Sequence, residues 1–516
     1  MNQPVFLHGS YPWRPDNGDG TYTNPVLFAD YSDPDVIRVG SDFYLTASSF
    51  NQSPALPILH SQDLVNWEIL TYAIAQPPGS RYEQVQPGCG VWAPSIRFHD
   101  NQFWIFFPMP DEGLFVTTAA KAEGPWCEPW LLQAGKGLID PCPLWDDDGR
   151  AYLIFAYAES RCGLKHKLHI RPMSCDGKTL LGPGKIVFDG TVSHPTVEGP
   201  KLYKIGEYYY VSAPAGGVAY GWQLVMRSKQ IYGPYSEPRV VLQQSGSCVN
   251  GPHQGAFVDD VGGNWWFLHF QEYQPYGRIC HLQPVRWEDG WPLVGACTEA
   301  TYPSGIPVLQ HQKPQGGGTS CIPQTSDAFE ASQLGLQWAF QAKPDPSWYS
   351  LEANPHRLRL HAVHCGKPNL AAASHVLVQK TPCSAFLVKT EVQLYAQSSD
   401  IETGLAVIGF STASLLLRYH AGGYQVGLRL GNDLVLATDV PASSVTMVLG
   451  FSTGGLCRFG YMQDGTVVWF GPSFRASEGR WIGTRIGIFC SCHGPVPCEG
   501  FADFKYFRFE TLPSVE

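Results

Sequence analysis

Hydrophobic and polar residues alternate in short runs along the first part of the chain, and tight turns join these runs. The clearest example is a hairpin in which the run from Lys201 to Lys204 meets Gly206 and the aromatic run from Tyr208 to Val211 returns. Alternation with a period of two is typical of half-buried β-strands, and a glycine between two such runs is typical of a hairpin turn. The pattern therefore predicts short strands rather than helices.

The same hairpin recurs along the chain. The positions that lead the five copies are Asp33, Trp92, Asp140, Glu198 and His253, so successive copies are 59, 48, 58 and 55 residues apart. A repeat of this length, with three or four strands in each copy, is typical of a β-propeller with one blade per repeat. Because the first strand of each blade lines the central channel, we expect the five lead positions to meet at one end of it.

The pattern changes after the fifth copy. A stretch rich in Gln and Gly follows, and beyond it strand patterns continue to the end of the chain without the blade repeat. This arrangement predicts a second domain built as a two-sheet sandwich. The sequence thus predicts an all-β protein with a five-bladed propeller over residues 1–310, a linker over 311–325 and a C-terminal β-sandwich over 326–516.

The amino-acid composition is consistent with many short strands, and it narrows the classes of molecule that the protein could bind. The 516 residues include 54 Gly and 42 Pro, and only 16% are charged. A net charge of -10 argues against nucleic acid as a partner and fits a neutral ligand. The 16 Trp and 24 Tyr offer flat faces on which sugar rings stack, although strand packing must account for most of them.

The lack of a recognisable targeting signal and the pattern of cysteines both favour a cytoplasmic protein. The N-terminus lacks a basic region followed by a long apolar run, and no stretch is apolar enough to predict a membrane span. Fifteen cysteines at irregular spacing favour reduced thiols over a disulfide framework. A trimmed signal peptide would instead make the protein secreted.

Three of the five lead positions carry a carboxylate: Asp33, Asp140 and Glu198. Like charges cannot all ionise cheaply at close range, so the pKa values of converging carboxylates must separate. Glycoside hydrolysis needs such a division into an ionised base and a protonated acid. The alternative is that these residues cap turns or bind a structural cation, because Asp before Pro is ordinary turn chemistry.

Four motifs on successive blades strengthen the catalytic interpretation, and together they resemble glycoside hydrolase family 43. They are Asn24 to Val36, Trp92 to Ile96, Gly137 to Pro141, and Glu198 to Pro200. The resemblance implies a five-bladed propeller that cleaves xylose- and arabinose-containing polysaccharides with inversion. The C-terminal part is similar to the concanavalin-like, jelly-roll sandwich attached to some β-xylosidases of the family.

The resemblance also implies roles for the three acids. Asp33 matches the general base, Glu198 the general acid, and Asp140 the carboxylate that raises the pKa of the acid and orients it. Asp35, two residues beyond Asp33 on the same strand, is the rival for the base.

Four further residues match the family's sugar-binding positions. Arg278 matches an arginine that contacts sugar hydroxyls, and Phe50 and Trp92 look like apolar walls of the pocket, although either could belong to the core. His253 resembles a channel histidine near which many relatives hold calcium, whereas a lone histidine is more often structural. No cofactor is otherwise expected.

One segment of the sandwich, Cys490 to Phe501, is a candidate for the loop that narrows the pocket in such relatives. Its Cys490, Cys492, His493 and Cys498 could alternatively bind zinc, but their spacing matches no standard zinc motif.

A pocket closed by a second domain favours removal of single terminal sugars. The leading hypothesis is therefore an inverting exo-acting enzyme that releases xylose from β-1,4-xylo-oligosaccharides. The runner-up is an α-L-arabinofuranosidase, or a bifunctional enzyme, on arabinose-containing oligosaccharides. A carbohydrate-binding propeller without catalysis is a distant third, since it would be expected to lack one of the acids. Assembly into homo-oligomers stays open.

Overall fold

A computed structural model describes residues 10–494 and 499–513, and nearly all of its regular structure is β-strand. The helical exceptions in this part of the chain are the α-helix Glu159–Cys162 and the 3₁₀ turns Ser80–Glu83, Pro346–Trp348 and Leu370–Ala372.

Five four-stranded antiparallel sheets follow one another along the chain, and in each sheet the strands are adjacent in chain order. Blades one and two contain Asp35–Val39, Asp42–Thr46, Ala55–Ser61 and Glu68–Ile74, then Ser95–His99, Gln102–Met109, Gly113–Ala119 and Trp130–Ala134. Blade three contains Leu138–Trp145, Ala151–Tyr157, Lys167–Met173 and Lys185–Asp189. Blades four and five contain Lys201–Ile205, Tyr208–Ala215, Trp222–Ser228 and Arg239–Leu242, then His253–Asp259, Trp265–Tyr273, Gly277–Glu288 and Trp291–Val294.

The five sheets form a closed ring. The first strands of blades one to four contact each other in succession, and the first strand of blade five contacts that of blade one. Hydrophobic clusters fill the spaces between neighbouring blades; for example, Val36 and Leu45 of blade one pack with Val258 and Leu268 of blade five. The predicted five-bladed propeller is therefore confirmed, and the predicted hairpin turns at Gly206, whose φ is 58°.

The N-terminal segment closes the ring against blade five. Strand Thr21–Thr23 pairs with Gln310–Gln312, and the side-chain amide of Asn24 donates to the carbonyl of Leu282 at 2.9 Å. The predicted propeller boundary at residue 310 falls inside this second strand. The predicted linker beyond it lies along blade one, where Lys313 forms an ion pair with Asp63 at 2.7 Å.

The C-terminal domain consists of two eight-stranded sheets. One contains Ala339–Phe340, Val363–His364, Leu377–Lys380, Ile401–Ile408, Thr412–His420, Gly423–Leu430, Asp433–Val440 and Arg485–Cys492. The other contains Tyr349–Ser350, Leu358–His361, Phe386–Ala396, Ser444–Ser452, Leu456–Gln463, Thr466–Trp469, Phe474–Arg475 and Gly500–Glu510. Their inner faces share one hydrophobic core, which confirms the predicted sandwich.

The propeller and the sandwich pack directly against each other. Phe28, Tyr273, Tyr276 and Ile279 of the propeller belong to the same buried cluster as the sandwich core. This contact brings a sandwich loop to the end of the channel where the lead positions meet.

Most cysteines carry free thiols, as predicted, but Cys492 is disulfide-bonded. Within the part of the chain that the structure describes, helices long and apolar enough to cross a membrane do not occur.

Candidate active site

Asp33, Asp140 and Glu198 line one pocket at the end of the propeller channel. The backbone at Asp33 and Asp140 adopts the same left-handed conformation, with φ of 54° and 56°. L-residues rarely adopt this conformation, and such strain persists only where the surrounding structure imposes it. The shared backbone conformation supports the prediction that the two residues are equivalent positions of the repeat.

The Asp33 carboxylate is surrounded by donors. Its Oδ2 accepts hydrogen bonds from the hydroxyls of Ser32 and Ser48, both at 2.7 Å. Nη1 of Arg278 lies 3.1 Å from Oδ1 and also donates to the hydroxyl of Ser32 at 2.7 Å. Charge-assisted hydrogen bonds of this kind suit an ionised carboxylate and fix its orientation. Arg278 thus lines the pocket and holds Asp33, while its contact with sugar hydroxyls stays a prediction.

Asp140 lies deeper, with 5% of its surface exposed. Its Oδ2 accepts a hydrogen bond from the backbone N–H of Gly199 at 2.7 Å. Burial and the neighbouring Glu198 raise the pKa of Asp140 well above its ordinary value, although the Gly199 N–H and Lys201 oppose this shift. The raised pKa favours the protonated form of Asp140 beside Glu198.

His253 lies behind Glu198 rather than in the wall of the pocket. Its Nε2 is 3.1 Å from Oε1 of Glu198, and only 1% of the residue is exposed. His253 does not line the pocket, and its ring contacts the Glu198 carboxyl, so a direct sugar contact stays a prediction. Gly221 packs closely on the other side, since a Cβ at this glycine would lie 2.7 Å from Nδ1 of His253.

The side chains around His253 decide which ligands the protein itself could offer to the predicted calcium ion. Calcium prefers six to eight oxygen ligands, whereas His253 offers ring nitrogens, of which Nε2 contacts Glu198 and the buried Nδ1 has no hydrogen-bond partner in the described part of the chain. Among the described residues, groups of three or more His, Cys, Asp or Glu able to hold a metal are not found. A calcium ion held at His253 together with waters therefore stays a prediction.

Aromatic side chains from both domains form the walls of the pocket. Phe50 and Trp92 line it as predicted, and Trp481 of the sandwich joins them. The Trp92 and Trp481 rings meet edge to face with centroids 4.7 Å apart, and the Phe50 ring lies 6.4 Å from Trp481. The guanidinium of Arg161 lies 5.2 Å from the centroid of Trp92, which is a cation–π distance. The pocket, including its open mouth, encloses about 980 Å³.

Asp35, the rival for the base, lies outside this pocket and is completely buried. Its Oδ2 accepts from Nη1 of Arg97 at 2.7 Å, and Nζ of Lys201 lies 3.6 Å from its Oδ1. Asp35 therefore joins the inner strands of blades one, two and four, a structural role that leaves it without access to substrate.

Sequence reasoning missed several residues of the pocket, namely Tyr157, Glu159, Ser160, Lys165, Thr196, Gln254 and Trp481. Glu159 and Ser160 come from the short helix after blade three's second strand, for which the strand pattern gave no signal. The tryptophan of the Arg480–Trp481 pair was visible in the sequence, but nothing local indicated that its loop faces the propeller.

The described residues of the candidate covering loop, 490–494 and 499–501, do not line the pocket. Cys490 and Cys492 lie buried in strand Arg485–Cys492 inside the sandwich, and neither lines the pocket; Trp481 provides the cover instead. The zinc hypothesis is also wrong for the described residues, because the disulfide occupies Cys492 and burial raises the pKa of the Cys490 thiol. Residues 495–498, including Cys498, lie outside the described part of the chain.

Comparisons with known proteins agree with this geometry. Residues 22–292 match the family model of glycosyl hydrolases family 43, and residues 326–510 match the beta-xylosidase C-terminal concanavalin A-like domain. A protein of Xylanibacter ruminicola, provisionally named a beta-xylosidase, is 42% identical over 499 residues, covering 94% of this chain and 89% of that protein.

Two further relatives bear on specificity. A non-reducing end alpha-L-arabinofuranosidase of Bacteroides ovatus is 31% identical over 371 residues, covering 66% of this chain and 65% of that protein. The crystal structure of a xylan beta-1,4-xylosidase from Bacillus halodurans superimposes with a TM-score of 0.81 at 26% identity, covering 95% of this chain and 99% of that one. With both domains matched over nearly their whole length, the chain belongs to glycoside hydrolase family 43 and is a glycosidase.

Proposed function

We propose that this enzyme removes terminal xylose from β-1,4-xylo-oligosaccharides with inversion at the anomeric carbon. The observation that carries the proposal is one pocket in which Asp33, Asp140 and Glu198 converge under a tryptophan from the second domain. A wall supplied by the second domain favours binding of a chain end over binding of a chain that passes through the pocket. The names of the relatives from Xylanibacter ruminicola and Bacillus halodurans support xylose as the sugar.

Each of the three acids has a distinct task in this proposal. Asp33, held by Ser32, Ser48 and Arg278, takes a proton from the attacking water. Glu198, oriented by the ring of His253, donates its proton to the departing glycosidic oxygen. Asp140, which has a raised pKa beside Glu198, keeps the modulating and orienting role that the family resemblance implies. Inversion requires space for a water between the base and the sugar, which corresponds to carboxyl groups about 6.5–9.5 Å apart.

The first test compares two substitutions on two substrates. Glu198→Gln removes the acid, so turnover of unactivated xylobiose should fall about 10²- to 10⁴-fold, and a nitrophenyl xyloside with a good leaving group should lose much less. Asp33→Asn removes the base and should lower turnover of both substrates to a similar extent. Near-normal rates of Asp33→Asn would overturn the assignment of the base.

The stereochemical outcome is tested by proton NMR during hydrolysis of a β-xyloside. An inverting enzyme gives α-xylose as the first product, before the free sugar equilibrates. Initial appearance of β-xylose would contradict the proposed mechanism while leaving the substrate open.

The alternative function is removal of α-L-arabinofuranose, which the relative from Bacteroides ovatus favours. Rates on the nitrophenyl β-xyloside and the nitrophenyl α-L-arabinofuranoside separate the two proposals. A kcat/KM at least tenfold higher on the xyloside supports xylosidase activity, whereas the reverse ratio supports the alternative. Comparable values would identify a bifunctional enzyme.

A further inference from the structure

Asp30 lies three residues before Asp33 and is buried, with 2% of its surface exposed. Its Oδ1 accepts a hydrogen bond from the backbone N–H of Arg278 in the propeller at 2.8 Å. Its Oδ2 accepts from the backbone N–H of Gly483 at 3.0 Å and from Nη2 of Arg485 at 2.8 Å, both in the sandwich. One carboxylate therefore joins the two domains at the edge of the active site.

The backbones around this carboxylate are in close contact. A Cβ placed on Gly277 would lie 2.5 Å from Oδ1 of Asp30 and 2.6 Å from the nitrogen of Gly483. The φ of Gly277 is 97°, a conformation that residues with a side chain rarely adopt. The sandwich loop thus packs directly on the start of the strand that carries Arg278, and both segments donate to the same acceptor.

Each segment held by Asp30 leads to the active site within a few residues. The guanidinium of Arg278 donates to Asp33 and to Ser32, as described above. Gly483 lies two residues after Trp481, whose ring walls the pocket. We propose that Asp30 is a positioning residue that fixes Arg278, and through it Asp33, relative to the loop of the sandwich that carries Trp481.

The charge of Asp30 fits this role. Burial alone would favour the neutral acid, but Arg485, Lys380 and the two backbone donors lower its pKa below the ordinary value. The carboxylate therefore remains ionised and keeps acceptor capacity on both oxygens. Gln52 completes the surroundings, with its Oε1 3.3 Å from Nη2 of Arg485.

The proposal rests on the role proposed for Asp33, and it is tested with Asp30→Asn in the full-length chain. Asparagine keeps the shape but offers one acceptor oxygen, so either Arg278 or the sandwich loop loses its hydrogen-bond partner. Small displacements of catalytic groups are costly, so we expect kcat on xylobiose to fall roughly 10- to 100-fold. KM should change less than kcat, because the sugar-binding side chains are all retained and the loss falls mainly on their alignment with Asp33.

The matched control is Asp503→Asn. Asp503 is likewise buried and accepts hydrogen bonds from Arg359 at 2.8 and 2.9 Å, but it lies wholly within the sandwich. Both variants should unfold at lower denaturant concentration than the wild type, and only Asp30→Asn should lose kcat. The split between kcat and KM, measured on folded protein, distinguishes positioning from a general loss of stability.

If Asp30→Asn does not fold, Arg485→Lys replaces it, since lysine keeps the charge but cannot reproduce the guanidinium contacts with Asp30 and Gly483. A folded Asp30→Asn or Arg485→Lys variant with wild-type kcat would overturn the proposal. Asp33→Asn, measured in parallel, separates the proposed base role of Asp33 from the proposed positioning role of Asp30. Full activity of Asp33→Asn would reject the base role. An inactive Asp33→Asn together with a normal Asp30→Asn would reject only the positioning role.

Discussion

The three acids of the pocket have different hydrogen-bond partners and different burial, so each carboxyl group is suited to a different role in acid–base catalysis. Asp33 has two hydroxyls and a guanidinium as donors, whereas Asp140 is buried and receives one backbone N–H. Glu198 contacts the ring of His253. Equivalent positions of a repeat have thus been given unequal electrostatic environments, as acid–base catalysis requires.

The raised pKa of Asp140 leads to a prediction about stability. In the folded protein Asp140 holds its proton at pH values where the unfolded chain, with the ordinary pKa near 3.8, has released it. The folded state therefore binds more protons than the unfolded state, and this residue's contribution lowers stability as pH rises from the ordinary pKa to the raised one. Asp140→Asn removes that loss.

We expect the activity of Asp140→Asn to be about 10²-fold or more below that of the wild type. We also expect the free energy of unfolding of Asp140→Asn, minus that of the wild type, to increase as pH rises from 4 to 8. Urea denaturation across this pH range measures the difference. Asp147→Asn is the control, because the Asp147 side chain is 89% exposed and should show little pH-dependent difference. A constant difference between Asp140→Asn and wild type at every pH would contradict the prediction.

At the scale of single elements, the inner strands of the propeller are held together by buried charges. Asp35 on the first blade pairs with Arg97 on the second and lies near Lys201 on the fourth. Removing one partner of a buried pair leaves the other charge without compensation, which typically costs about 3–5 kcal/mol.

Asp35→Asn should therefore lower the free energy of unfolding by about 3–5 kcal/mol while folded enzyme keeps most of its turnover. Asp33→Asn should do the reverse, with lost turnover and a small change in stability. Chemical denaturation and initial rates on the same samples measure both quantities. Loss of turnover in Asp35→Asn without loss of stability would make Asp35 the base.

The loop between strands Phe474–Arg475 and Arg485–Cys492 carries the cover of the pocket. Trp481→Ala removes a ring that contacts Trp92 and Phe50, so kcat/KM on xylobiose should fall about 5- to 30-fold, equivalent to about 1–2 kcal/mol. Trp469→Ala is the matched control, because Trp469 is 37% exposed on the sandwich and does not line the pocket. Equal kinetics for both variants would remove Trp481 from the binding site.

The propeller and most of its site could be predicted from the sequence because repetition places equivalent residues at equivalent points in space. Asp33, Asp140 and Glu198 are the clearest cases. Trp481 and Arg161 could not be predicted, because they lie on non-repeating segments whose position depends on packing between domains or blades. His253 is buried behind Glu198 because of tertiary packing, which the sequence does not show. The residue type of His253 and its position in the repeat therefore predicted a contact with sugar or a cation.

At the scale of the whole molecule, the two domains share a hydrophobic cluster and a set of buried hydrogen bonds. The hydroxyl of Tyr276, on the propeller, donates to the carbonyl of Ser384 at 2.9 Å and accepts from the N–H of Gly454 at 2.8 Å. Tyr276 is completely buried between the domains. Because separate unfolding would expose this interface, we expect the propeller and the sandwich to unfold together.

Calorimetry should accordingly show one transition for the full chain, and Tyr276→Phe should lower its midpoint without splitting it. The substitution removes both hydrogen bonds that this hydroxyl makes across the domain interface, a loss of about 1–3 kcal/mol. Tyr395→Phe is the control, since Tyr395 is 39% exposed on the sandwich and its loss of a hydroxyl should leave the midpoint nearly unchanged. Two resolved transitions, of which Tyr276→Phe moves only one, would show that the domains unfold independently. The active site, which takes its acids from one domain and Trp481 from the other, would then be lost with the weaker of the two.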